Sequence, residues 1–330
     1  MSVPARFDGF RIHNDEAGYR SGIESIALDD LNPGEVIVKT AYSSVNFKDA
    51  LAGTGEGRIL RRFPLVGGID VAGHVVASTD PVFKEGDEVL VTGSGLSETR
   101  DGGYAEYAQL EARWVVALPV GLSLRESMIL GTAGFTAALA LLRMVENRQT
   151  PDLGPLAVTG ATGGVGSLAV AIFRKAGFDV HAISGKPEHA EYLKALGASE
   201  VLGREVLATA RPMESTRFGG GLDNVGGAML ASLLAQTAPY GNVASAGLAA
   251  SHALDATLMP FIIRGVSLLG VASAGTARDI RDEVWRRLAG DWKPASLDAI
   301  CTREIGLGGL PEVFRTMLAG ESKGRTVVRL

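Results

Sequence analysis

The run Thr159-Gly160-Ala161-Thr162-Gly163-Gly164-Val165-Gly166 has the residue types that let main-chain N–H groups reach an anion. It follows the apolar stretch Leu156–Thr159 and opens a stretch with helical character, Val165–Ala176, stopped by Gly177. Glycine removes side chains that would hold a diphosphate off the backbone, and a helix N-terminus adds partial positive charge. The run is therefore predicted to cradle a dinucleotide. Ala161 stands where the usual fingerprint has its first glycine, and a tight strand-to-helix turn without a ligand is the other reading.

The next apolar run, Val180–Ile183, leads into Ser184-Gly185-Lys186. A site for NAD usually carries an acid here to accept from the ribose 2′-hydroxyl. No acid is present at that point. Ser184 can donate to a 2′-phosphate and Lys186 can pair with it, so NADPH is the predicted cofactor. Arg204 is a candidate second partner. A solvated lysine and a surface arginine are the plain alternatives.

Elements that must position these groups are legible around them. Glu35–Lys39, Val71–Val76, Glu88–Val91 and Trp114–Val116 are short β-rich runs punctuated by turn residues, which favours a small barrel or sandwich. From about Ser123, helical stretches alternate with apolar strands, including a helix at His189–Leu196 and a strand at Val243–Ala246. That alternation predicts an α/β fold with a doubly wound parallel sheet. The predicted domains are 1–123, 124–275, and a return segment, 276–330, that completes the first. The 330 residues suit two domains, and 46% apolar with 21% charged residues is a globular composition. A net charge of -5 argues against a nucleic-acid partner. No run looks long enough to span a bilayer and no leader is visible, so a cytoplasmic protein is expected. Cys301, the single cysteine, excludes an intrachain disulfide and a multi-thiolate zinc site.

Several segments resemble one family, the zinc-free medium-chain dehydrogenases/reductases of quinone-oxidoreductase type. They are Ser43–Asp49 (SSVNFKD), Pro64–Gly73 (PLVGGIDVAG), Gly131–Ala137 (GTAGFTA), the glycine run, and Asp223–Gly227 (DNVGG). Within the family, Ser184–Lys186, Met259–Arg264 and Lys323–Val328 are similar to the NADPH-dependent acrylyl-CoA reductases. The resemblance implies a Rossmann domain beside a GroES-like β-barrel domain. It implies cofactor contacts from Thr162, Gly163, Gly164, Val165 and Gly166 on the diphosphate. Ser184, Gly185, Lys186 and Arg204 would lie at the adenosine phosphate, and Leu248, Ile262 and Ser273 along the nicotinamide half. Phe47 stands where the subgroup often has tyrosine, and Lys186 where it has arginine. It also implies a homodimer formed through the strand Val266–Val271.

Zinc-dependent relatives use Cys, His and Glu where this chain has Asn46, Ile69 and Asp70. Isoleucine cannot ligate, and the five histidines lack ligand spacing, so no metal is expected. Without a Lewis acid, the expected chemistry is hydride transfer to a self-activated acceptor such as an enoyl-CoA or a quinone. Asn46 and Asp49 are the candidates for polar positioning, or else simply cap a turn. Arg58, Arg61 and Arg62, with Arg264 and Arg325, are candidates for the phosphates of coenzyme A, or a solvated face. Three functions stand: reduction of acrylyl-CoA or a similar short enoyl-CoA, a quinone reductase, and a non-catalytic NADPH-binding structural or regulatory protein.

Overall fold

The computed structural model describes residues 3–208 and 211–330; Met1 and Ser2, with which the first predicted domain begins, lie outside the described residues. The chain forms two compact units. The first takes in Met1–Thr132, Ala274–Glu283 and Cys301–Leu330, the second Ala133–Ser273 and Val284–Ile300. Residues 124–132 thus group with the first unit, and Val284–Ile300 with the second.

The first unit opens with the hairpin of β1 (Phe7–Asp15) and β2 (Gly18–Ile26), followed by β3 (Val36–Ser44), α1 (Phe47–Thr54) and β4 (Leu65–Val66). β5 (Asp70–Ser78), β6 (Glu88–Thr92), β7 (Tyr107–Leu110) and β8 (Val116–Ala117) come next. Of the expected strand at Trp114–Val116, Trp114 closes a 3-10 turn, Ala112–Trp114, in which Trp114 and Val115 donate back to Glu111 and Ala112, and Val116 begins β8.

α2 (Leu124–Glu146) leads into the second unit. There β9 (Leu156–Thr159), α3 (Gly164–Lys175), β10 (Val180–Ile183), α4 (Ala190–Ala195) and β11 (Glu200–Leu202) alternate. β12 (Phe218–Asp223), α5 (Gly227–Gln236), β13 (Thr237–Ser245), α6 (Met259–Arg264) and β14 (Ser267–Gly270) follow. α4 is shorter than expected, since Pro187 starts a separate 3-10 turn at Pro187–His189. The strands pair in parallel in the order β11-β10-β9-β12-β13-β14. All four residues of β9 are buried, as parallel strands covered on both faces require. Strand order reverses between β9 and β12. Loops leaving the carboxyl ends of strands at such a point are where doubly wound sheets bind ligands. One core joins Ala157, Ile183, Phe218, Leu233 and Val243 beneath them.

After α7 (Arg278–Ala289), the chain adds β15 (Cys301–Ile305), α8 (Leu310–Leu318) and β16 (Arg325–Arg329) to the first unit's larger sheet, ordered β15-β16-β3-β5-β6-β8 with β7 on β3. Phe314 of α8 packs on Gly53 of α1 and joins Phe10 and Tyr104 in the core of this unit.

Contrary to the expectation from sequence, α2 is long and apolar enough to cross a membrane by length and composition, with a mean hydropathy of 1.7. However, 83% of its apolar stretch is buried inside the protein. Its apolar surface forms core.

Candidate cofactor turn and a buried charge cluster

In the second unit, β9 ends in Thr159 and the chain turns through Gly160 at φ +59. Ala161 N donates to Ile183 O and Gly163 N to Gly160 O, which fixes the turn against β10. Gly163 occupies the N-cap of α3. A Cβ on Gly166 would stand 2.3 Å from Gly160 O, so only glycine lets the helix close on the strand end. A Cβ on Gly163 would meet nothing nearer than 3.4 Å, so that face of the turn is open. Thr162–Gly166 are thereby placed together at the positive end of a helix, a geometry that fits a diphosphate.

A neighbouring loop braces the turn. Asp223, fully buried, accepts from Thr159 Oγ1 at 2.8 Å and from the N–H groups of Val225 and Gly226. Asn224 donates from its amide to Thr159 O at 2.8 Å. Burial pushes the Asp223 carboxyl up, partly offset by these donors. Asp223–Gly227 therefore couples the carboxyl ends of β9 and β12.

Beyond β10, Ser184 Oγ accepts from Lys186 N at 3.0 Å. Arg204, on the turn after β11, lies against Gly185: a Cβ there would meet Arg204 Nε at 2.4 Å. Ser184, Gly185, Lys186 and Arg204 are thus brought together from two loops, and no carboxylate ends β10. Of the residues expected along the nicotinamide half, Leu248 sits beside Gly226, with its Cα 3.5 Å from a Cβ built there. Ile262 is 76% exposed on α6, and Ser273 accepts from Thr136 Oγ1 at 2.9 Å. Phe47, in the first unit, opens α1 and is 48% exposed.

The first unit holds a second concentration of chemistry, interior to it. Asp70, fully buried, accepts from Ser44 Oγ (2.5 Å), Asn46 Nδ2 (2.8 Å), Thr132 N (2.9 Å) and Thr132 Oγ1 (2.6 Å). Asp49, 1% exposed, accepts from Asn46 N at 2.8 Å and Ile69 N at 2.9 Å. Arg325, 2% exposed, donates to Ile129 O, Val45 O, Asn46 Oδ1 and Ser44 Oγ. Gly131 makes the cluster possible. Its φ of +49 breaks the helical path of α2, and a Cβ there would meet Asp70 Oδ2, Ser44 Oγ and the Arg325 guanidinium, all within 3 Å. Burial first, then the charge of Asp70, raises the Asp49 carboxyl to about 7. Burial holds Arg325 below the usual arginine range. Below pH 7, then, Asp49 keeps its proton and one carboxylate faces one guanidinium.

Four expectations change here. Asn46 is not free to orient a ligand, because its amide is divided between Asp70, Asp49 and Arg325. Asp49 follows the capping reading: it is the capping acid of α1 and also accepts from Ile69 N, so it does not stand free for polar positioning. Arg325 is buried on protein acceptors and cannot face a substrate phosphate. Arg264 donates to the carbonyls of Ala235, Thr237 and Glu214, at the end of α5, which engages its guanidinium. Arg58, Arg61 and Arg62 are exposed.

Sequence reasoning passed over Ser44, Thr132 and Tyr104, whose hydroxyl donates to Ser44 O at 3.0 Å, and it read Asp70 only as a replaced metal ligand. These residues and Arg325 come from β3, β5, α2, β16 and the loop before β7, so no local spacing announces them. The same donor set does not fit zinc. Ile69 offers nothing, both Asp70 oxygens already accept, and among the described residues no group of three His, Cys, Asp or Glu is placed to hold a metal.

Fold and turn together define a class: the chain belongs to the medium-chain dehydrogenase/reductase family, oxidoreductases with a GroES-like domain and a Rossmann sheet, and to its zinc-free branch. The family model for the alcohol dehydrogenase GroES-like domain matches residues 32–120, and that for zinc-binding dehydrogenase matches 164–290. Among individual relatives, the Bacillus subtilis protein YhfP, provisionally named a quinone oxidoreductase, is 46% identical over 310 residues, 93% of this chain and 94% of that protein. Its solved structure, with NAD bound, is similar at a TM-score of 0.96 over 99% of this chain and all of that one. The acrylyl-CoA reductase AcuI of Ruegeria pomeroyi is 42% identical over 326 residues, 98% of each chain. The yhdH oxidoreductase of Salmonella enterica, solved in complex with NADP, is 43% identical, with a TM-score of 0.95 over 98% of this chain and 99% of that one.

Proposed function

We propose that this oxidoreductase takes NADPH on the glycine turn and reduces the C=C bond of acrylyl-CoA, or a similarly short enoyl-CoA, to the saturated thioester. The observation that carries the cofactor choice is Arg204 packed on Gly185 beside Ser184 and Lys186, with no acid at the end of β10. A cationic pair there favours a 2′-phosphate, and a carboxylate would repel one. The acyl-CoA part is supported by the names of relatives at 42–44% identity over nearly the whole chain. When bound there, NADPH would supply a hydride to the β-carbon of an enoyl thioester without a metal, because the thioester's own carbonyl would take up the charge, and a proton from water would complete the α-carbon. The chain's contribution is to hold. The turn Thr162–Gly166 would take the diphosphate at the start of α3, Ser184, Lys186 and Arg204 the 2′-phosphate, and Arg58, Arg61 and Arg62 would offer charge to coenzyme A. Asn46 and Asp49 brace the buried cluster inside the first unit.

NADPH oxidation measured with acrylyl-CoA, crotonyl-CoA and a benzoquinone, with NADH in parallel, tests this. Acrylyl-CoA with NADPH should give the highest kcat/KM; a preference for the quinone would replace the substrate assignment, and a preference for NADH the cofactor assignment. The quinone reading is kept because YhfP, at 46% identity, carries that name and was solved with NAD.

We infer a cytoplasmic homodimer. β14 is the outer strand of its sheet, so one edge offers unpaired main-chain groups to a second copy. With Cys301 as its single cysteine the chain can form no intrachain disulfide, as suits a reducing compartment. Light scattering that returns a monomer at all concentrations ends the dimer assignment.

A further inference from the structure

We propose that Lys48 and Arg61, held apart on the carboxylate of Glu98, form a phosphate subsite for the tail of a coenzyme A thioester. The proposal rests on the acyl-CoA reading above and names where in the first unit the tail is gripped.

Lys48 Nζ lies 2.9 Å from Glu98 Oε2, and Arg61 Nε lies 3.3 Å from Glu98 Oε1. Each oxygen of one carboxylate therefore faces a different cation, an arrangement that two oxygens of a phosphate can equally satisfy. Arg61 N also donates to Glu98 O at 2.8 Å, which docks the segment carrying Arg58, Arg61 and Arg62 onto the Glu98 turn. The pair is accessible: the side chains of Lys48, Arg61 and Glu98 are 37%, 74% and 24% exposed. Nearby acids compensate little. Glu56 is solvated, and Asp101 is buried on the N–H groups of Asn32 and Val66.

The turn that presents Glu98 is stiff and strained. Ser94 and Ser97 both take left-handed φ, 54 and 55. The N–H groups of Glu98, Thr99 and Arg100 all converge on Gly95 O, and Ser97 N donates to Arg100 O. Left-handed non-glycine residues are costly and are kept where a group must be presented in one place. An exposed ion pair contributes little stability by itself, so the strain is not explained by a structural bridge. A carboxylate that keeps two cations at phosphate spacing, and yields to a doubly charged ligand, accounts for both.

Calorimetric titration with free coenzyme A, dephospho-coenzyme A and pantetheine, all with saturating NADP, tests the subsite. Coenzyme A should bind at least tenfold tighter than pantetheine, with a preference that falls as salt rises. Lys48→Met and Arg61→Met should each erase most of that preference, whereas Glu98→Gln, which removes the competing charge, should strengthen it about threefold or more. Dephospho-coenzyme A reports which phosphate is held: loss of the preference assigns the 3′-phosphate, and retention assigns the diphosphate. Equal binding of coenzyme A and pantetheine, or Glu98→Gln weakening the preference as Lys48→Met does, overturns the proposal. The two readings separate cleanly. Coenzyme A preference without acrylyl-CoA turnover keeps the subsite and removes the reductase, and turnover without the preference does the reverse.

Discussion

The glycine turn of the second unit and the charge cluster of the first are built on opposite principles. The turn is made of backbone at the start of α3, open on the Gly163 face, and at Gly166 it demands the absence of a side chain. The cluster is made of side chains that satisfy one another: Asp70 with four donors, Arg325 with four acceptors, and Asn46 between them. A site that binds leaves its groups unanswered, whereas a site that supports answers them all. Damage to the cluster should therefore be read in stability, and damage to the turn in ligand affinity.

The largest expected effect is on the supporting side. Arg325→Met leaves four buried acceptors without their donor and Asp70 without the buried cation beside it, and should lower unfolding free energy by about 3–5 kcal/mol, measured by urea denaturation. A loss below 1 kcal/mol with NADPH affinity abolished would reverse the comparison. Gly166→Val should do the opposite. Its side chain would meet Gly160 O, forcing α3 from the strand end, and NADPH affinity in a fluorescence titration should fall tenfold or more.

Arg204→Met sharpens the comparison within the binding side. Removing one charged phosphate partner should raise the KM for NADPH about tenfold and leave that for NADH nearly unchanged. Equal change in both would show that Arg204 supports the loop and does not read the phosphate.

The smallest effect is in pH dependence. Asp49 has a folded pKa of about 7, above the ordinary value of 3.8. Between those values the folded state holds a proton that the unfolded state has lost, so stability from this group declines as pH rises from about 4 to 7. Asp49→Asn should flatten that decline in a series of urea midpoints, whatever it does to absolute stability. An unchanged slope would mean that Asp49 is ionised inside the fold.

How much of this was legible in the sequence follows the same division. The strands Leu156–Thr159 and Val180–Ile183 were read to the residue, because parallel strands buried on both faces are continuous apolar runs. The glycine turn was legible because it is contiguous and its chemistry lies in the backbone. Arg204 was a guess from position, and its contact with Gly185 exists only once β10 and β11 pair. Arg325 was misread as a surface cation. Nothing local distinguishes an exposed arginine from a buried one, and only the antiparallel pairing of β16 with β3 brings it to Ser44. Arg264 misled for the same reason. The length of α2 was missed because it is two helical stretches joined at a kink, and Gly131, with polar residues such as Thr132 and Thr136, interrupts the apolar run.

That helix bears on how the protein is born. The ribosome releases α2 before any strand of the six-stranded sheet has been made, since β9 begins only at Leu156. For that interval, the apolar stretch of α2 beyond the kink at Gly131 has no strand of the second unit to pack against. Chaperones that sample emerging chains should engage it there, and a chain halted just after Glu146 should aggregate or partition into lipid rather than wait in solution.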